Sequence, residues 1–438
     1  MEDAQNRYAK KLLIITLAIV FLLTAVGLTI YFSIRPGKAT AFTDLKLPGE
    51  TEVILRLAAT ATFDTAILFP RTEIYLYDSG GGLLDHAMYE GESSLGGGYF
   101  FATTPGEICF FFTNHTVIVN GEKAQRYDEK SLEVRVKGSR FAPSATGYSE
   151  EFGLYYALRN VGNKSKGSPY IYSIRFADDN GTYDVIIPYY LDGAFYDEGA
   201  GEFICVINSD FFGAENLDGW INYMRVYYDT AAGKFTLDER VYSLQNKELS
   251  TRQESGFVCM GMAKDGKLYQ AYAYPDDPEQ IHASGDMILS VYDLKSNELI
   301  SNIMLKENYE LGHYGGTLVG SSDLSGISME GKLYVFCSTD QVYIITDEDN
   351  IEMREMPFSF ENAASFRTTD KEFKAKGFVD TLIDVGKDGK IYVLLRTVDG
   401  KLQIYELLTG GKYEKIWEAD CPKVKKDLYF VDFEVIRD

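Results

Sequence analysis

Four histidines stand in this chain, His86, His115, His282 and His313, and none pairs with another at HExxH or HxH spacing. Zinc held by clustered imidazoles is therefore not written into the sequence. The five cysteines, Cys109, Cys205, Cys259, Cys337 and Cys421, include no CxxC pair, and four of them sit in the apolar runs "EICFFF", "EFICVI", "GFVCMG" and "YVFCST". A thiol in such a run packs as a small hydrophobe. There is no G-x-S-x-G elbow and no GxxxxGK[ST] phosphate loop. "ADDNG" at 177–181 and "DEDN" at 347–350 have the acid density of a calcium loop without its spacing or closing Glu, so they read as hairpin turns. No metal and no cofactor is expected, and no catalytic residue is named by a linear motif. Carboxylates remain: with 65 Asp and Glu, two brought together from distant segments could share acid and base roles. "NHT" (114–116), "NKS" (163–165) and "NGT" (180–182) fit the glycosylation pattern, which matters in a secretory host.

The other chemistry on offer is recognition. Long polar stretches interrupt the apolar runs at "NVGNKSKGSP" (160–169), "SDFFGAENLDG" (209–219) and "PDDPEQIHASG" (275–285). They bring aromatic rings beside acids: Phe211, Phe212, Trp220, Asp276, Asp277 and His282. Rings next to carboxylates suit a peptide, a glycan or a partner protein, and long loops commonly carry such sites. A competing reading has Phe211 and Phe212 pinning their own loop. The formal charge of -22 repels phosphate backbones, which excludes nucleic acid as a partner.

These candidates need elements to hold them. Residues 12–34, "LLIITLAIVFLLTAVGLTIYFSI", carry no charge. At 1.5 Å per residue such a helix spans ~34 Å, enough to cross a bilayer. The reading is a cytoplasmic tail at 1–11, a transmembrane signal anchor at 12–34, a linker at 35–49 and an extracytoplasmic domain at 50–438, placing the protein in the cell membrane with the bilayer as one partner. Basic residues flank both ends (Arg7, Lys10, Lys11; Arg35, Lys38, Lys46), so orientation rests on the charges abutting the helix at its N-terminal side. Cleavage after Ala41, in an A-x-A pattern, is the alternative.

Beyond residue 50 short runs of Val, Ile, Tyr and Phe alternate with Gly, Asp and Asn, as strands alternate with turns. One phrase recurs: "KDGKLYQ" at 264–270, "EGKLYVF" at 330–336 and "KDGKIYVLLRT" at 387–397. Each stands between the first and second strands of a four-stranded meander, in the segments 257–305, 325–356 and 378–418. The same grammar fits 51–89, 97–137, 145–189 and 193–244, each as a four-strand unit. A leftover strand at 427–436 is available to close a ring. The strand grammar with its Gly-Lys-aliphatic-Tyr turns resembles a β-propeller over roughly 50–438. The resemblance implies an all-β fold of about seven four-stranded blades stacked on one another. The alternatives are six or eight blades, or two β-sandwiches split near 140–150. The motifs of tryptophan–aspartate, kelch, sialidase and quinone-dependent dehydrogenase propellers are missing, so no particular family is matched.

An anchored propeller without catalytic motifs reads as a non-catalytic binding or scaffold module. Two other readings compete. One is a glycan- or peptide-cleaving enzyme with carboxylates from several blades. The other is a sensor, which, with an 11-residue tail, would work through a membrane partner.

Overall fold

The computed structural model describes Thr16 and residues 53–61, 71–90, 101–104, 106–112, 115–120, 123–128, 145–163, 170–208, 221–247, 260–275, 283–311, 313–314, 317–318, 324–329, 331–337, 341–355, 360–362, 367–368, 378–397, 399–422 and 428–436. The chain divides into two compact units, Met1–Thr40 and Ala41–Asp438. Of the first only Thr16, helical, is described. The expected span 12–34 otherwise lies outside the described residues, as does the linker 35–49. Among the described residues no helix is long and apolar enough to cross a membrane.

The second unit is a seven-bladed β-propeller. Blade I contains Val53–Ala61 (β1), Arg71–Asp78 (β2) and Leu83–Glu90 (β3). Blade II is Phe101–Thr104 (β4), Glu107–Phe111 (β5), His115–Asn120 (β6) and Lys123–Asp128 (β7). Blade III is Ala145–Ser149 (β8), Leu154–Asn163 (β9), Tyr170–Asp178 (β10) and Gly181–Ile187 (β11). Blade IV is Leu191–Asp197 (β12), Glu202–Ile207 (β13), Ile221–Asp229 (β14) and Lys234–Leu244 (β15). Blade V is Met260–Lys264 (β16), Lys267–Pro275 (β17), Ala283–Asp293 (β18) and Glu298–Leu311 (β19). A two-stranded pair follows, His313–Tyr314 (β20) with Thr317–Leu318 (β21). Blade VI is Leu324–Met329 (β22), Lys332–Cys337 (β23), Gln341–Ile345 (β24) and Ile351–Glu355 (β25), followed by the pair Phe360–Asn362 (β26) and Arg367–Thr368 (β27). Blade VII is Phe378–Val385 (β28), Ile391–Thr397 (β29), Lys401–Leu407 (β30) and Tyr413–Asp420 (β31). The last strand, Leu428–Val435 (β32), pairs with β1 and completes blade I in the order β3-β2-β1-β32. Among its described residues segment 51–89 holds three strands rather than the four expected; the strand expected to close the ring supplies the fourth.

In blades II to VII the strands run antiparallel in sequence order, in blade I β32 precedes β1 to β3, and the innermost strands of neighbouring blades lie side by side at the ring's centre. First-to-second-strand turns thus share one end of the ring, here the lower face. Links between second and third strands leave from the upper face.

In six blades a glycine with positive φ stands at the lower turn, before the second strand: Gly106 (74°), Gly153 (63°), Gly201 (63°), Gly266 (75°), Gly331 (64°) and Gly389 (73°). Side chains disfavour that backbone, so glycine recurs. The turn read three times in the sequence is therefore present six times among the described residues, at "GEICF", "GLYYA", "GEFIC", "GKLYQ", "GKLYV" and "GKIYV". Blade I has no such turn, since its two inner strands come from opposite ends of the propeller sequence. At Gly266 an added Cβ meets nothing within 4 Å. Gly266→Ala should therefore cost only the backbone term, roughly 1–2 kcal/mol, read from urea midpoints; a neutral effect would show that the turn relaxes.

Alternation on the second strand explains the rest of the phrase. Leu268 packs in the blade IV–V core and Tyr269 in the V–VI core. Leu333 enters the V–VI core and Tyr334 the VI–VII core. Ile391 enters the VI–VII core and Tyr392 the VII–I core. Successive side chains point to opposite faces, and both faces of each blade are covered by neighbours. Seven apolar clusters result, one per junction between blades. Cys109 and Cys205 are buried in two of them as free thiols.

Candidate functional site

The lower face is stitched from blade to blade. Thr104 Oγ1 lies 2.6 Å from Tyr155 Oη, and Ser149 Oγ 2.7 Å from Tyr196 Oη. The Asp197 carboxylate accepts from the amides of Asp265 (3.0 Å) and Gly266 (2.7 Å) in the next blade. Lys264 Nζ donates to the carbonyls of Gly331 (3.1 Å) and Thr346 (3.0 Å). Tyr334 Oη donates to Gly389 O at 3.1 Å. Tyr269 and Tyr334 thus fill the next core with their rings and reach the next blade's turns, at Glu348 and Gly389, with their hydroxyls. "ADDNG" and "DEDN" are hairpin turns, closed by the Asp178 and Asp347 side chains on their own loops.

At the centre of this face three consecutive innermost strands place polar residues at equivalent positions, each one residue from the strand end: Asp384 on β28, Glu434 on β32 and Thr103 on β4. Ile383 and Val385 turn into the VI–VII core, so Asp384 faces the opposite way, towards blade I. Glu434 accepts from Arg56 Nη1 at 2.8 Å and, through its other oxygen, from the Thr103 hydroxyl. The Arg56 side chain is 8% exposed and that of Glu434 18%. Lys387, on the turn after β28, passes beneath blade I to donate to Thr103 O at 3.0 Å. Asp384 keeps a small window of solvent. Burial, and then the neighbouring Glu434, push its carboxyl well above the usual carboxylate range, against the Val385 amide, which pulls it down. One carboxyl raised by burial beside one that is ion-paired is the asymmetry an acid–base pair requires.

A second charged centre lies between blades II and III. Arg159 and Arg175 converge on Asp184 at 2.8 and 3.1 Å, and both donate to Phe112 O at 3.3 Å. Beside them burial first, then Arg126 and Arg175, lower the His115 imidazole to about 4, with Asp128 opposing. The shared acceptor belongs to the neighbouring blade, so this cluster clamps two blades together. On blade I, Glu73 accepts from Tyr75 Oη and lies 3.1 Å from His86 Nε2, whose ring stacks on Tyr75. Among the described residues no group of three or more His, Cys, Asp or Glu could hold a metal ion.

Phe211, Phe212, Trp220, Asp276, Asp277 and His282 lie outside the described residues. The strand ends on either side of them are described: Ile207 and Ile221 in blade IV, Pro275 and Ala283 in blade V, all at the upper end.

No protein-family model and no curated protein matches the chain. Solved propellers do. The β-propeller domain of the Trilobed protease from Pyrococcus furiosus is similar at 11% identity over 79% of each chain, with a TM-score of 0.33. BamB from Moraxella catarrhalis is similar at 12% identity over 90% of this chain and 94% of that one, with a TM-score of 0.31. The Pan2 WD40 domain of Neurospora crassa is similar at 10% identity over 75% and 81%, with a TM-score of 0.39. The fold rests on the strand pairings above.

Arg56, Thr103, Asp384, Lys387 and Glu434 were not singled out from sequence. The available signal was an acid inside an apolar strand, "LIDV" and "DFEVI", at matching distance from the strand end.

Proposed function

We propose that the chain is a membrane-anchored, extracytoplasmic binding or scaffold module that takes a protein, peptide or glycan on its upper face. The observation that carries this reading is the contrast between the two faces. Lower turns are short and bonded blade to blade, whereas the upper face carries long connections in adjacent blades IV and V, where 208–220 joins β13 to β14 and 276–282 joins β17 to β18, beside three-residue links in blades II, VI and VII. A rigid ring that varies its loops at one end suits recognition. The competing hydrolase reading draws on Asp384 and Glu434. Both Glu434 oxygens are engaged by Arg56 and Thr103, which turns that carboxylate to holding the frame rather than to attacking a substrate. The bilayer partner is segment 12–34.

Two measurements test the proposal. Protease added to sealed cells should remove 50–438; full protection would place the domain on the other side. Replacing Phe211, Phe212 and Trp220 together with Ala should lower chemical cross-linking to the bound partner in living cells at least about ten-fold, as loss of aromatic anchors does, with thermal unfolding unchanged. Unaltered cross-linking would move the site elsewhere.

A further inference from the structure

The ring is covalently continuous through six of its blades and closed in the remaining one by pairing alone. In blade I, β32 and β1 meet from opposite ends of the propeller sequence and are held by their ladder, from Leu55↔Val435 to Ala61↔Leu428. The inner edge of that closure carries ionisable groups from blades I and VII and a hydroxyl from blade II. Arg56–Glu434 ties β1 to β32, the Thr103 hydroxyl ties blade II to β32, and Lys387 ties blade VII to blade II. Asp384 stands among them, its carboxyl met by the Val385 amide.

We propose that this closure is a proton-operated latch, shut while Asp384 is protonated and loosened around β1 and β32 when Asp384 ionises.

The charged and titratable groups about Asp384 are Glu434 on β32, Arg56 on β1, Lys387 and Asp388 on the following turn, and Tyr392 opposite it on β29. Tyr392 donates to Asp388 at 2.7 Å, so that acid is already matched. A charge on Asp384 would repel the Glu434 carboxylate in a site from which most water is excluded. Two cations, Arg56 and Lys387, share this inner edge, one on Glu434 and the other on Thr103 O. If Arg56 turns towards Asp384, the β1–β32 ion pair weakens. If Lys387 swings inward, its bond to Thr103 O is lost. Each route removes a contact that spans the closure, while blades III to V keep theirs.

The direction with pH follows. Desolvation holds the folded carboxyl above the unfolded one. Between those two values the native state keeps a proton that the unfolded chain has released, so stability falls as pH rises. The contribution is complete below the ordinary carboxylate value, near pH 4, and is lost as pH rises through the folded value.

Hydrogen exchange on the full chain in detergent micelles tests the latch at pH 5 and pH 9, after correction for intrinsic rates. Amides of β1 and β32 should lose protection by at least about ten-fold relative to those of β13 and β14. Asp384→Asn cannot ionise and should abolish that difference. Glu434→Gln, which removes the repelling charge, should reduce it and serves if the first variant does not fold. The latch is overturned if Asp384→Asn or Glu434→Gln keeps the full parental difference, or if blade IV loses protection as much as blade I.

Discussion

Removal of residues 428–438 should abolish cooperative folding of the ring. Those residues contain β32, whose Phe430, Phe433 and Val435 are buried in the VII–I core against Leu55, Leu57, Tyr77 and Leu394. Three such side chains at about 1.5–3 kcal/mol each amount to roughly 5–9 kcal/mol. That is comparable with the whole stability of an ordinary domain, about 5–15 kcal/mol. The loss does not stop there. Leu55 and Leu57 would face water, β1 would present an unpaired edge, and Arg56 would be left without the carboxylate it contacts. Near-UV circular dichroism during heating should show no sharp transition in the truncated chain. A synthetic peptide of 425–438 added in trans should restore one. A truncated chain that melts cooperatively near the parental temperature would mean that blade I stands on three strands.

Tyr334 offers the second large effect, and it separates ring from hydroxyl. The side chain is fully buried in the VI–VII core, and its hydroxyl donates to Gly389 O. Tyr334→Ala should cost about 3–5 kcal/mol, the range for emptying a buried aromatic site. Tyr334→Phe keeps the ring and drops one hydrogen bond, for about 1 kcal/mol. Urea unfolding of the two variants gives the comparison. If Phe costs as much as Ala, the hydroxyl rather than the packing holds the junction; if Ala costs under about 1 kcal/mol, the core refills and the role assigned to this tyrosine is wrong.

The parts of this fold that could be read beforehand are those fixed by local chemistry. Gly266, Gly331 and Gly389 announce themselves because a lower turn demands positive φ, and Leu268–Tyr269 or Ile391–Tyr392 because alternation sends neighbours into different cores. The equivalent turns at Gly106, Gly153 and Gly201 escaped recognition because none is followed by the Lys that made the other three look alike, and only Gly153 is followed by Tyr. Closure by β32 could be anticipated as a spare strand, but not its partner, since nothing local ties Val435 to Leu55. The Asp384 group lay deeper still: Arg56 and Glu434 are separated by 378 positions, and only the ring makes them neighbours. An acid flanked by Ile and Val, as Asp384 is, carries no sign of what faces it.

The placement of the closure has a mechanical consequence. Val53 and Val435 both lie at the lower end of blade I, on adjacent strands. Force arriving from residues upstream of Val53 would pull along β1, which is laced on both edges, to β2 and to β32. Such a load shears two ladders lengthwise, so many hydrogen bonds resist together instead of opening one at a time. The same force applied beyond Val435 would meet a strand held by a single ladder. The ring therefore has a strong end and a weak end, and the strong one is where the chain leads back towards residues 12–34.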